Sequence, residues 1–176
     1  MYWWVNFFGV AFLVACSSSP TDTKQVNKNK EFDLPSYFQQ EIKRLSAMDK
    51  EVVKTVSKED VSETKTIHVN WEKELAAFVS TDINKAVYAG YIRKDSSDRL
   101  VTLRLDNPDV DISSIRIRYD EQNEPIEIII HKQVHNLLYN TTEKLSYNKD
   151  HSYRIEKQQD VWVLGTNHYS IEGSLN

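Results

Sequence analysis

The chain has 176 residues, with 22 Lys and Arg against 26 Asp and Glu and a formal net charge of −4. That balance gives no basic face, so nucleic acid is not an expected partner. A single cysteine excludes a disulfide within the chain, and four glycines are too few for a glycine-rich phosphate loop.

From Tyr2 to Ala15 the sequence is apolar and carries no charged side chain; after Cys16 it changes at once to Ser17-Ser18-Ser19-Pro20-Thr21-Asp22-Thr23-Lys24. A stretch this short does not cross a ~30 Å hydrocarbon core, which takes about 20 residues as a helix. It suits the apolar region of a secretory signal that ends in small residues. Leu13-Val14-Ala15-Cys16 resembles the lipobox of bacterial lipoproteins. The resemblance implies removal of residues 1–15, diacylation of the Cys16 thiol and acylation of the new amine. Two or more chains, at about 0.8 kcal/mol per buried methylene, hold a protein stably on a bilayer. The membrane is therefore the expected partner, through lipid on Cys16. Ser17, in place of Asp, resembles the outer-membrane sorting pattern of enterobacterial lipoproteins and implies an address in the cell envelope at the outer membrane.

Between Ser17 and Glu31 the residues are polar and show no hydrophobic period, which predicts a flexible tether of roughly 20 Å average span. The expected organisation is a signal peptide over 1–15, the acylated Cys and tether over 16–31, and one globular domain over 32–176.

Structure is expected to begin at Phe32. Phe38, Ile42 and Leu45 recur at helical spacing, Asp33 or Ser36 can cap, and Pro35 suits a first turn, predicting a helix from Pro35 to Met48. The β-branched runs 52–58 and 62–69 flank Lys58-Glu59-Asp60 and read as a hairpin with one solvated face. Asn70 can cap a second helix in which Trp71, Leu75 and Phe78 recur, ending near Asp82 to Asn84.

From Val87 onward the pattern alternates. Strands are expected over 88–93 and 100–105 around a polar turn at 94–98, then over 115–119, 126–130, 137–147, 153–158, 161–164 and 169–173. Compact polar turns without intervening helices mean an antiparallel meander. The fold class expected is α+β: an N-terminal helix, a hairpin, a second helix, then an antiparallel meander sheet with helices packed on one face.

Few residues suggest chemistry. His131 and His135 lie four apart on a strand-like segment, which separates their rings by roughly 13 Å, too far for one metal. The loop from Asp106 to Asp111 clusters oxygen ligands, yet it lacks the central Gly and distal Glu of an EF-hand, and its residues are ordinary turn formers. No Gly-x-Ser-x-Gly is present, and Glu72 and Glu74 point to different sides of a helix. No catalytic residue, metal or cofactor is expected. Arg116, Arg118, Glu127 and Lys132 suit charge pairing on a solvated sheet face. The aromatics Tyr139, Tyr147, Tyr153, Trp162 and Tyr169 recur on neighbouring strands. They fit either a core under the two helices or one concave wall for an acyl chain or a glycan.

Beyond the lipobox, the body is similar to uncharacterised outer-membrane lipoproteins of Bacteroidota. Its plan, a curved antiparallel sheet with helices at its mouth, is also similar to the lipoprotein carrier and receptor proteins of the Lol sorting system, with no motif in common. The function expected is a lipid-anchored, non-enzymatic binding or scaffolding domain. The alternatives are an apolar-ligand carrier or receptor and an anchored secreted hydrolase.

Overall fold

The structure is a computed structural model, and it describes residues 30–175. The segments expected as a signal peptide and as a tether up to residue 29, with Cys16 between them, lie outside the described residues.

Helix α1 spans Leu34–Met48. Asp33 caps it by accepting the Ser36 N–H at 3.2 Å, and that bond holds the Asp33 carboxyl below its ordinary pKa. Leu34, Phe38, Glu41 and Leu45 form the buried stripe, and Asp49 ends the helix in the left-handed region. Strands β1 (Val52–Lys58) and β2 (Val61–Ile67) form a hairpin; β1 is partly buried, whereas β2 is exposed throughout.

The second helix is shorter than its apolar period suggests. Two single turns, α2 (Trp71–Glu74) and α3 (Ala76–Val79), meet at Leu75, and the helix does not reach Asp82. Side chains there compete for backbone groups: Ser80 and Thr81 both donate to the Ala77 carbonyl at 2.9 Å, and Asp82 accepts the Asn84 N–H.

A short 3-10 turn, Ala86–Tyr88, replaces the strand expected from Tyr88. Gly90 at φ +88° turns the chain into β3, Ile92–Ser97, so the polar run expected as a turn is mostly edge strand. The turn itself is only Asp98 and Arg99. The remaining strands are β4 (Leu100–Leu105), β5 (Ile112–Tyr119), β6 (Pro125–His135), β7 (Tyr139–Asn148), β8 (Ser152–Val161) and β9 (Gly165–Leu175).

All nine strands join one antiparallel sheet in the order β2-β1-β9-β8-β7-β6-β5-β4-β3. From β3 to β9 each strand pairs with the next, and the last returns to the first, placing Gly173 opposite Lys54. The α1 helix crosses this sheet. Tyr37 donates to the Pro125 carbonyl on β6, Tyr147 on β7 donates to Glu41, and Arg44 reaches Asp150 beyond β7 at 2.6 Å. Rings interlock beneath it, with Phe38 5.2 Å from Tyr147 and 4.8 Å from Phe78, and Trp71 5.9 Å from Tyr153. Ile115, Ile117, Ile128, Ile130 and Leu145 supply the sheet's share of the core.

Alternate residues turn to the other face. There Arg118 meets Glu127 at 3.1 Å, Lys144 meets Glu156 at 3.5 Å and Arg154 meets Glu172 at 2.5 Å. That face is solvated and charge-paired.

Candidate functional site

Turns in a water-soluble sheet are ordinarily polar. Five connections here obey: Glu59-Asp60 between β1 and β2, Asp98-Arg99 between β3 and β4, residues 106–111 between β4 and β5, residues 120–124 between β5 and β6, and Lys149-Asp150-His151 between β7 and β8. Several place Asp, Asn or Glu in the left-handed region that such turns need. Two connections break the rule, and they are neighbours at the same end of the sheet.

The first joins β6 to β7. Asn136 Oδ1 accepts the N–H groups of both Leu138 and Tyr139 at 2.9 Å, and the Asn136 N–H donates to the Tyr139 carbonyl. This side-chain-closed turn consumes the polar groups and leaves the leucines outside. The second joins β8 to β9 through Trp162-Val163-Leu164. The Leu164 N–H donates to the Val161 carbonyl, and Gly165 at φ +81° completes the reversal. One backbone bond, Trp162 N–H to the Leu138 carbonyl at 3.3 Å, ties the two tips together. Leu137, Leu138, Trp162, Val163 and Leu164 are 96%, 70%, 86%, 81% and 80% exposed. Tyr139 stands beside them opposite Val161.

Register makes this pair of hairpins a projection. Neighbouring β1 ends at Lys58, opposite Tyr169, and the next residue bonds to His168. On the other side β5 begins at Ile112, with the preceding carbonyl of Asp111 bonded to Gln133. Beyond that level β6 continues for two residues and β7 to β9 for three, up to about 10 Å at the usual rise, before the turns begin.

The five aromatics singled out in sequence fall into three places. Tyr147 and Tyr153 are buried, each donating to a glutamate of the helical layer, Glu41 and Glu74. Burial first, then those carboxylates, push both hydroxyls well above the ordinary tyrosine pKa. Tyr169 lies at the base of the projection with the Lys58 ammonium 5.4 Å from its ring centre. Only Tyr139 and Trp162 reach the tips. Leu137, Leu138, Val163 and Leu164 were not singled out; the flanking Asn136 and Gly165 were the available signal that apolar residues there form turns, not the strand expected over 161–164.

The other candidates have ordinary partners. His131 and His135 both lie on β6, opposite Lys144 and Asn140, and burial followed by the Lys144 and Arg116 charges holds the His131 ring below its usual pKa. In the 106–111 loop, Asp106 pairs with Arg93 at 3.1 Å, Asn107 accepts the Asp109 N–H, and Asp111 accepts the Tyr88 hydroxyl at 2.5 Å. Lys132 lies on the helix side of β6, 3.9 Å from Glu143. Among the described residues no three His, Cys, Asp or Glu side chains converge as a metal site would require. Compared with known proteins, the chain matches no family model, no curated protein and no solved structure.

Proposed function

We propose that this protein is an outer-membrane lipoprotein of the cell envelope, acylated on Cys16, whose globular domain binds or scaffolds and does not catalyse. The observation that carries the binding role is the pair of apolar hairpin tips. Burying a large apolar side chain gains roughly 1.5–3 kcal/mol, so five of them left in water represent a large gain awaiting a partner. Tips of this kind work by contact, and the side chains around them hold neither a nucleophile–base pair nor a converging carboxylate pair.

The lipobox residues Leu13-Val14-Ala15-Cys16 support the anchor. Cys16→Ser is expected to abolish labelling by radioactive palmitate and to release the protein from the membrane fraction. Labelling that survives the substitution overturns the anchoring role.

A further inference from the structure

We propose that the paired tips at 136–138 and 162–164 are a membrane-inserting element, whose partner is the interfacial layer of a lipid bilayer. Three properties of the projection select a bilayer over a protein groove.

The first is charge depletion. Residues 133–142 and 158–168 hold a single formal charge, at Asp160, in a chain that is 27% charged. Asp160 itself accepts the Thr166 hydroxyl at 3.2 Å. Next to the apolar tip, this collar offers Asn140, Thr141, Gln159 and Asn167, neutral groups suited to headgroup depth. Entry of the tips, residues 136–138 and 162–164, therefore strips water from no formally charged side chain, the step that makes membrane entry costly, and Asp160 stays in the collar behind them.

The second is backbone satisfaction. In a region poor in water, free N–H and C=O groups are penalised, and in the tips the N–H groups of Asn136, Leu138, Trp162 and Leu164 are bonded internally, to the Tyr139 carbonyl, Asn136 Oδ1 and the carbonyls of Leu138 and Val161. The third is side-chain type and shape. Trp162 and Tyr139 with Leu137, Leu138, Val163 and Leu164 combine interface-seeking aromatics with aliphatics. They crown a convex projection that stands beyond its neighbouring strands, so it meets a flat surface first.

The tether allows one bilayer to hold both lipid and tips. Glu31, near the start of the described residues, is bonded to Asn84 and to Lys94 on β3. Thirteen residues separate Cys16 from Lys30, a covalent span of at most about 48 Å. This placement on a shared bilayer rests on the anchor proposed above; insertion itself does not.

The test uses the full chain with Cys16→Ser, which leaves no other thiol, and one new cysteine bearing an environment-sensitive fluorophore. Val163→Cys reports on the tip, and Glu121→Cys, in the β5–β6 turn at the opposite end, is the control. Vesicles are phosphatidylcholine, with and without phosphatidylglycerol, and carry quenchers at defined acyl depths. The expected result is a blue shift and several-fold stronger quenching at 163 than at 121. Leu137→Ser with Trp162→Ser is expected to abolish that difference while leaving the far-ultraviolet circular dichroism unchanged. Equal quenching at the two positions overturns the proposal, because apolar residues 2–15 alone can then account for attachment. Absence of quenching at 163 also overturns it, and crosslinking from 163 to a protein in intact cells then assigns the tips to a protein partner. Because the chain tested carries no lipid, failure here is separate from failure of the Cys16 anchor.

Discussion

Glu41 on α1 and Glu74 on α2 each stand between a sheet tyrosine and a cation. Glu41 accepts from Tyr147 and from Arg44 at 2.7 Å; Glu74 accepts from Tyr153 at 2.5 Å and from Lys54 at 2.7 Å. A buried carboxylate is tolerated when its lone pairs are filled in this way, and removing one member leaves the others unmatched. Tyr147→Phe keeps the ring against Phe38 and Phe78 and deletes one charge-assisted bond, so it is expected to cost about 1.5–3 kcal/mol in urea denaturation. Glu41→Ala is expected to cost more, because the Tyr147 hydroxyl loses its acceptor and Arg44 loses its buried carboxylate, keeping Asp150 and the weak Met48 sulfur acceptor.

These hydroxyls also set a pH dependence. Both have folded pKa values raised above the ordinary value of about 10, so the unfolded chain ionises first as pH rises. Their contribution to stability is complete below pH 10 and declines above it, towards the raised folded values. Urea midpoints measured from pH 8 upward are expected to fall beyond pH 10, and less steeply in a variant with Tyr147→Phe and Tyr153→Phe.

At the level of elements, the Tyr153 ring on β8 lies across its β9 partner Gly173 and leaves no room for a side chain there. A Cβ on Gly173 would lie 2.1 Å from Cε1 of Tyr153. Gly173→Ala is expected to displace that ring from Trp71 and Glu74 and to cost at least about 1–3 kcal/mol, the range for overfilling a core. With Tyr153→Leu in the background the same substitution is expected to cost much less, a coupling that a double-mutant cycle measures.

Elements were legible in the sequence where pattern and environment agree. The α1 stripe, the first hairpin and strand 100–105 were readable because apolar period, capping residues and charged turns all point the same way. Polar residues 94–97 have the composition of a turn, yet they form an edge strand, where both faces tolerate water. The run 161–164 has the composition of a strand because apolar residues ordinarily signal burial, and here they signal the reverse. The candidate site was legible only through Tyr139 and Trp162. Its aliphatic members look like core in any window that omits Asn136 and Gly165.

Across the whole molecule, one open sheet has two edges, β2 and β3, and both are blunted. β2 carries Glu63 and Lys65 and is solvated on both faces; β3 is Arg93-Lys94-Asp95-Ser96-Ser97 after its first residue. Charged edges resist pairing with other chains. Amide exchange is expected to follow this layout, fastest in β2 and β3 and slowest in β5 and β6, which have strands on both sides and carry three buried residues each. Slow exchange throughout β2 would contradict the assignment of that strand as an open edge.

The pairing of β1 with β9 has a consequence in time. The hairpin of β1 and β2 has no neighbour in the main sheet until β9, Gly165–Leu175, has been made. Closure of the sheet therefore waits for β9, the strand made last among the nine, however early the hairpin itself has formed.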